Sequence, residues 1–300
     1  MYILTPPLII PTNLSLSQFF PFGAGPKGCV GQYLGLAEMK AALSEILGRF
    51  HFQTQQQAKK IKARWDIANQ PTEPVYVRLL PRLHIQIIGP SSVGKTTLCH
   101  ALQRYFTCNN YPQTSVPLIE EVGRRVFLEA VGEEGSYRFL RDPAWVVELQ
   151  HRIWERQIDE EERHCDEFAL VDRSAIDPFF YAIRYGKMDL ASFERTITET
   201  PQGSERWKDT LQRYRDQRQT LLVLILPLDN CTRREDGVRL LADSFEDWKA
   251  EGELYHELIL HFGVPHIILD CLDTTERVNK VLHELHLRTT NVTRMNGNTG

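Results

Sequence analysis

Leu83-His84-Ile85-Gln86-Ile87-Ile88-Gly89-Pro90-Ser91-Ser92-Val93-Gly94-Lys95-Thr96-Thr97 is the stretch whose reading decides the fold class of this chain. An apolar, β-branched run ends at a glycine, and Gly89–Thr96 then spells G-x-x-x-x-G-K-[ST] ahead of a helix-forming segment. The glycines let the backbone curl so that successive N–H groups point inward at phosphate oxygens, while the following helix turns its positive end to the same anion. Gly89, Pro90, Ser91, Ser92, Val93, Gly94, Lys95, Thr96 and Thr97 are therefore the candidate nucleotide-binding set. Lys95 would reach the β/γ-phosphates of ATP or GTP, and the Thr96 hydroxyl would hold Mg²⁺. The competing reading is an ordinary glycine turn with an exposed lysine, and the strand before and helix after argue against it.

Outward from this loop, short apolar strands alternate with amphipathic or charged stretches, the rhythm of a parallel sheet with crossover helices. Strands are expected at Leu83–Ile88, Ser115–Ile119, Phe168–Val171, Leu221–Leu226 and His266–Leu269. Helices are expected at Lys95–Phe106, Arg124–Val131, Ala144–Arg163, Leu190–Thr198, Arg206–Gln217, Phe245–Phe262 and Thr275–Leu285. The fold class is α/β: a three-layer P-loop NTPase with a five-stranded parallel sheet, kinase-like, preceded by a small helical or irregular appendage. The expected boundaries are an appendage over 1–52, a linker over 53–82, the nucleotide domain over 83–287 and a disordered tail over 288–300.

Thirty-five Lys and Arg against 39 Asp and Glu give a formal net charge of -4, which argues against a partner held by phosphate neutralisation or a basic membrane-facing surface. The expected partner is a small-molecule nucleotide, with no nucleic acid and no membrane; protein partners are not legible. The six cysteines form no Cys-x-x-Cys pair. Met1–Pro11 lacks a positive start and is broken by Pro6, Pro7 and Pro11, so a cytoplasmic chain with reduced thiols is expected.

Chemistry beyond the phosphate loop is read from what stands at the strand ends. The third strand ends in Asp172-Arg173-Ser174, where Asp172 can orient Mg²⁺ or its water and Arg173 can face a transferring phosphoryl group. Arg173 stands where a water-activating Glu would follow the Asp of a remodelling ATPase, and Asn279-Lys280-Val281-Leu282 lacks the acid of a guanine-reading Asn-Lys-x-Asp motif. The second strand ends in Glu120-Glu121-Val122-Gly123-Arg124-Arg125, placing Glu121 as a candidate base and Arg124 as a candidate holder of the acceptor. Acids also favour helix starts without any catalytic reason, and that alternative stays open. After the fourth strand, Arg233, Arg234 and Arg239 are candidate lid cations, or a solvated charge run. Asp273 follows the fifth strand and either borders the base or caps the last helix. Phe179, Phe180, Tyr181 and Tyr185 line an acceptor pocket or, by default, pack in the core, while His283 and His286 lack an evident third metal ligand.

Gly89–Thr97, Glu121-x-x-Arg124, Asp172-Arg173-Ser174 with Asp177 and Tyr181, and Asp236-Gly237-x-Arg239 with Glu276-Arg277-Val278 together resemble the AAA-domain family of NadR-like P-loop kinases, over residues 83–287. The resemblance implies a kinase-type P-loop fold binding ATP or GTP with Mg²⁺ and, in its bacterial ribosylnicotinamide kinases, phosphorylation of a nucleoside hydroxyl. The family also includes proteins in which nucleotide binding is better supported than any transferred substrate. Expected here is Mg²⁺-dependent phosphoryl transfer to a small, nucleoside-like hydroxyl acceptor, or else a nucleotide-gated binding protein with no acceptor.

Phe22-Gly23-Ala24-Gly25-Pro26-Lys27-Gly28-Cys29-Val30-Gly31, followed by Leu36-Ala37-Glu38-Met39-Lys40, resembles the haem-ligand loop and next helix of cytochrome P-450 monooxygenases, over residues 19–52. The resemblance implies Cys29 as an axial haem ligand, with Lys27 standing where that family usually has Arg or His. Roughly 50 residues cannot both enclose a macrocycle and bury a core of their own, so the expectation is a fusion remnant that holds no haem.

Overall fold

The computed structural model describes residues 22, 28–54, 63–65, 69–72, 77–109, 116–131, 142–228, 242–271 and 273–294. The chain divides into two units, Met1–Gly48 and Arg49–Gly300. In the first, the Cys29 amide donates to the Phe22 carbonyl at 2.8 Å and a helix begins at Gln32 and ends at Arg49. Leu34, Met39, Leu43 and Leu47 of that helix are exposed.

The second unit opens with two antiparallel strand pairs, Phe50–Thr54 with Val77–Pro81 and Ala63–Trp65 with Asn69–Pro71. The second pair lies wholly in the stretch 53–82 that the sequence reading treats as linker, and the first straddles its boundary with the appendage, Phe50–Phe52 falling in 1–52. Phe50 pairs with Pro81, so half of the first ladder comes from a segment remote in sequence, and no local pattern announces it.

The remaining elements are β1 (His84–Ile88), α1 (Lys95–Cys108), β2 (Leu118–Ile119), α2 (Val122–Val131), α3 (Pro143–Arg163), β3 (Ala169–Asp172), α4 (Asp177–Arg184), α5 (Leu190–Thr198), α6 (Pro201–Arg215), β4 (Thr220–Ile225), α7 (Phe245–His261), β5 (His266–Leu269) and α8 (Thr274–Arg294). The five strands pair in parallel in the order β2-β3-β1-β4-β5. β1 and β4 are wholly buried because helices cover both faces of the sheet; β1 buries His84 and Gln86, whose side chains bond the His164 carbonyl and the Glu161 carboxylate, whereas β4 is apolar from Leu221 to Ile225. Their side chains alternate between two cores: Ile88, Leu222 and Leu224 join Trp154, Phe179, Trp207 and Phe262, whereas Ile85, Ile87, Val223 and Ile225 join Leu98, Leu102 and Phe106.

Helix starts follow capping chemistry. Asp142 accepts the Ala144 amide at 3.0 Å ahead of Pro143 at the start of α3, Thr200 accepts the Gly203 amide ahead of Pro201 in α6, and Ser244 accepts the Asp247 amide in α7. Three helices depart from the sequence reading: α6 begins at Pro201, five residues ahead of the expected Arg206. α4 falls in a stretch that the sequence reading leaves unassigned, its eight residues making about two turns, too few for a helical period to stand out, and α8 continues to Arg294, seven residues into the expected tail. Residues 295–300 lie outside the described residues.

Candidate nucleotide site

Because β1 leads to β2 on one side while β3 leads to β4 on the other, a crevice opens at the carboxyl ends of β1 and β3, the place where ligands bind in such sheets. Gly89 leaves β1 with φ +139°, and a Cβ there would stand 2.4 Å from the Ile225 carbonyl oxygen, so only glycine fits. Ser92 at φ +66° and Gly94 at φ +92° complete the curl into α1. The loop's carbonyls are held from outside: the Trp248 indole donates to the Ser91 carbonyl at 2.9 Å and the Arg277 guanidinium donates to the Val93 carbonyl at 2.7 Å. The buried Lys95 ammonium donates to the Gly89 and Pro90 carbonyls at 2.9 and 2.7 Å. Burial, with Arg173 nearby, lowers its pKa to about 8.

Register places Asp172 beside Ile87, so the third strand's terminal acid stands directly next to the loop. The Thr96 hydroxyl donates to Asp172 Oδ2 at 2.5 Å, while Asp172 Oδ1 is buried without a hydrogen-bond partner. Burial raises this carboxyl's pKa, partly offset by Lys95. A threonine hydroxyl and a carboxylate oxygen lacking a partner form the hard-oxygen donor pair that Mg²⁺ takes when phosphates and water complete its shell, so these residues fit that ion. Among the described residues no cluster of three or more His, Cys, Asp or Glu could hold a metal by itself.

Arg173 has φ +91°, an uncommon conformation for a residue with a side chain, and its surroundings hold it there. Its Nε donates to Glu121 at 2.7 Å and its NH1 to Asp177 at 3.1 Å, and the guanidinium lies 5.3 Å from the Tyr181 ring centre. Asp177 also accepts the Ser174 amide and the Tyr255 hydroxyl. The Arg173 charge holds the Glu121 carboxyl down at about 2, well below the usual range. These groups line a cavity of about 100 Å³, enough for several waters or a hydroxyl-bearing group. Glu121, Arg173, Asp177 and Tyr181 supply its polar wall, Phe127, Val146, Leu149 and Ile153 its apolar one, and exposed Arg124 stands beside them.

The structure thus brings Lys95, Thr96, Asp172, Arg173 and Glu121 to one sheet edge. Thr97 is exposed on α1. Phe179 and Phe180 are core residues, and only Tyr181 of the aromatic run reaches the cavity. Asp273 caps α8 by accepting the Glu276 amide at 2.8 Å. Arg233, Arg234 and Arg239 lie outside the described residues. The sequence reading missed Trp248 and the part played by Arg277; they meet the loop across 157 and 184 residues, a separation that leaves no local signal.

The fold and this loop define a P-loop domain of the three-layer α/β kind. Residues 84–277, well over half of the chain, match the family model described as an AAA domain (AAA_28), and the chain belongs to that family. Among solved structures it is similar to the NadR protein in complex with NR (22% identity, TM-score 0.44, covering 64% of this chain and 49% of that one). It is also similar to deoxyadenosine kinase from M. mycoides with bound dATP (15%, TM-score 0.45, covering 68% and 99%). Residues 12–78 match the cytochrome P450 family model, so this likeness runs across most of the stretch read as linker. In that part the chain is 38% identical over 65 residues to thromboxane-A synthase of Sus scrofa and 40% identical over 63 residues to aromatase of Homo sapiens. Those alignments take in 21% and 20% of this chain and 12% of each relative, so the chain spans about an eighth of their length.

Haem, which the P450 likeness implies, needs apolar walls on both faces of the macrocycle. The described residues of the first unit supply an exposed Cys29 thiol and one helix with exposed apolar side chains, and no opposing wall. They do not fit haem.

Proposed function

We propose that this protein binds ATP or GTP with Mg²⁺ at Gly89–Thr97 and transfers the terminal phosphoryl group to a small hydroxyl acceptor, nucleoside-like in kind, seated in the cavity beside Glu121. One observation carries the reading: the phosphate loop with its Thr96–Asp172 pair and the polar Glu121–Arg173 wall of a cavity converge on one edge of the sheet. A nucleotide-gated binding protein would need the first half of this site and not the second.

In this reading the inward N–H groups of the loop and Lys95 hold the β- and γ-phosphates. Thr96 and Asp172 would hold Mg²⁺, which supplies neutralisation of phosphate charge when bound. The acceptor oxygen attacks the γ-phosphorus as the bond to the bridging β–γ oxygen breaks. The hydroxyl proton passes to the Glu121 carboxylate, and the nucleoside diphosphate leaves with the bridging oxygen. A carboxylate with a pKa of about 2 is ionised at any physiological pH. It is a weak base, which suffices where positioning and charge stabilisation dominate phosphoryl transfer. Arg173 neutralises charge developing on the transferring group, Arg124 holds the acceptor, and Arg233, Arg234 and Arg239 close over the triphosphate.

The test is ATP and GTP consumption measured against a panel of nucleosides, with Lys95→Ala as the blank. Acceptor-dependent consumption abolished in the blank supports transfer. Triphosphate binding with only acceptor-independent hydrolysis, or with none, overturns the kinase reading in favour of the binder.

A further inference from the structure

Arg277 is 5% exposed in the first turn of α8. Its Nε donates to the Cys271 carbonyl at 2.7 Å and its NH1 to the Val93 carbonyl at 2.7 Å. A Cβ added to Gly94 would stand 2.9 Å from NH1, so the guanidinium lies directly against the loop at the residue preceding Lys95. Both partners are neutral backbone carbonyls. The contrast with Arg173, comparably buried at 8%, is sharp: Arg173 faces the carboxylates of Glu121 and Asp177, whereas Arg277 has no ion pair among the described residues. A buried cation is costly unless an opposite charge meets it. The carboxylates at the site do not pair with Arg277: Asp172 accepts from Thr96 through Oδ2, and Glu121 and Asp177 accept from Arg173.

We propose that Arg277 is a nucleotide-affinity determinant lying outside the loop motif, a buried cation against the back of the phosphate loop whose counter-charge is the polyphosphate of the bound nucleotide. By holding the Val93 carbonyl outward it also fixes the peptide that joins Val93 to Gly94, so that the Gly94 N–H stays turned to the ligand. Arg277 is a positioning and charge-balancing residue and touches no reacting atom. The inference deepens the nucleotide-binding part of the proposed function and does not depend on transfer to an acceptor.

The experiment compares wild type, Arg277→Gln and Arg277→Lys by calorimetric titration with nucleoside mono-, di- and triphosphate and Mg²⁺, and records the melting temperature of each protein without ligand. Gln keeps an amide donor and removes the charge; Lys keeps the charge and loses the two-pronged fork. The expected result is a loss of triphosphate affinity in Arg277→Gln of about tenfold or more, as for one nearby charge pair. The loss should be graded triphosphate over diphosphate over monophosphate, with Arg277→Lys retaining most of the affinity. A lowered melting temperature in both variants with wild-type affinities overturns the inference, and so does a loss in Arg277→Gln that is equal for the three ligands. Wild type that binds no triphosphate overturns the nucleotide reading itself, an outcome distinct from both. Should Arg277→Gln fail to fold, Arg277→Lys decides: graded affinity kept supports the role of charge, and an ungraded loss refutes it.

Discussion

Replacing Glu121 by Gln removes one charge from the Arg173 pair while keeping an oxygen to accept its Nε–H at the same place. In the folded protein the Glu121 pKa is lowered from 4.5 to about 2, chiefly by Arg173, and the side chain is 23% exposed. At about 1.4 kcal/mol per pH unit that fall corresponds to about 3 kcal/mol of stability, and partial exposure argues for about 2–3. The sign follows from linkage. A carboxylate whose folded pKa is depressed contributes stability that is fully present above the unfolded value of 4.5 and is lost as pH falls toward 2. Urea unfolding of wild type and Glu121→Gln should therefore differ by about 2–3 kcal/mol at pH 7. The gap should shrink to roughly half at pH 3, because the Gln variant has no proton to take up there. A difference below about 0.5 kcal/mol at pH 7, typical of an exposed pair, would refute the reasoning. An undiminished difference at pH 3 would do the same, by showing that packing and not charge is at stake.

Lys95, held at about 8 in the free protein, should return toward its ordinary value when phosphates surround it, so triphosphate binding at pH 8 should take up about half a proton. Titration calorimetry in buffers of differing ionisation enthalpy reads this directly, and the uptake should vanish near pH 6. Without ligand, the same lowered lysine makes stability rise with pH between about 8 and 10.5, since the unfolded chain binds the extra proton there. Gly89→Ala would force a Cβ to 2.4 Å from the Ile225 carbonyl oxygen at φ +139°. We expect a loss of about 2–4 kcal/mol in thermal or urea unfolding together with lost nucleotide binding, and a variant with wild-type stability would contradict the geometry of the loop.

The phosphate loop was legible residue by residue because its chemistry is local: the glycines, Lys95 and Thr96 sit within one turn of backbone, and each does its work there. The strands were legible for a related reason: β3 and β4, covered on both faces, carry their burial in their own apolar composition, and the two edge strands are short β-branched or aliphatic runs. α4 was not, because its eight residues make about two turns, too few for a helical period to stand out in the sequence; Phe179 and Phe180 enter the core and Tyr181 packs against it and reaches the cavity. The strand pairs around 50–81 escaped notice because pairing Phe50 with Pro81 is a long-range event.

Local pattern therefore settled the phosphate-loop motif and the kind of sheet. Which groups stand together was decided by strand order alone, since β3 lies beside β1 and carries Asp172 to Thr96. The same topology closes Arg173 onto Glu121 across 52 residues and brings Trp248 and Arg277 to the back of the loop. A side chain's charge and hydrogen-bonding capacity are written in its residue type, but its pKa, its partner and its counter-charge depend on what the folded chain brings within a few ångströms, and no spacing along the sequence encodes that distance.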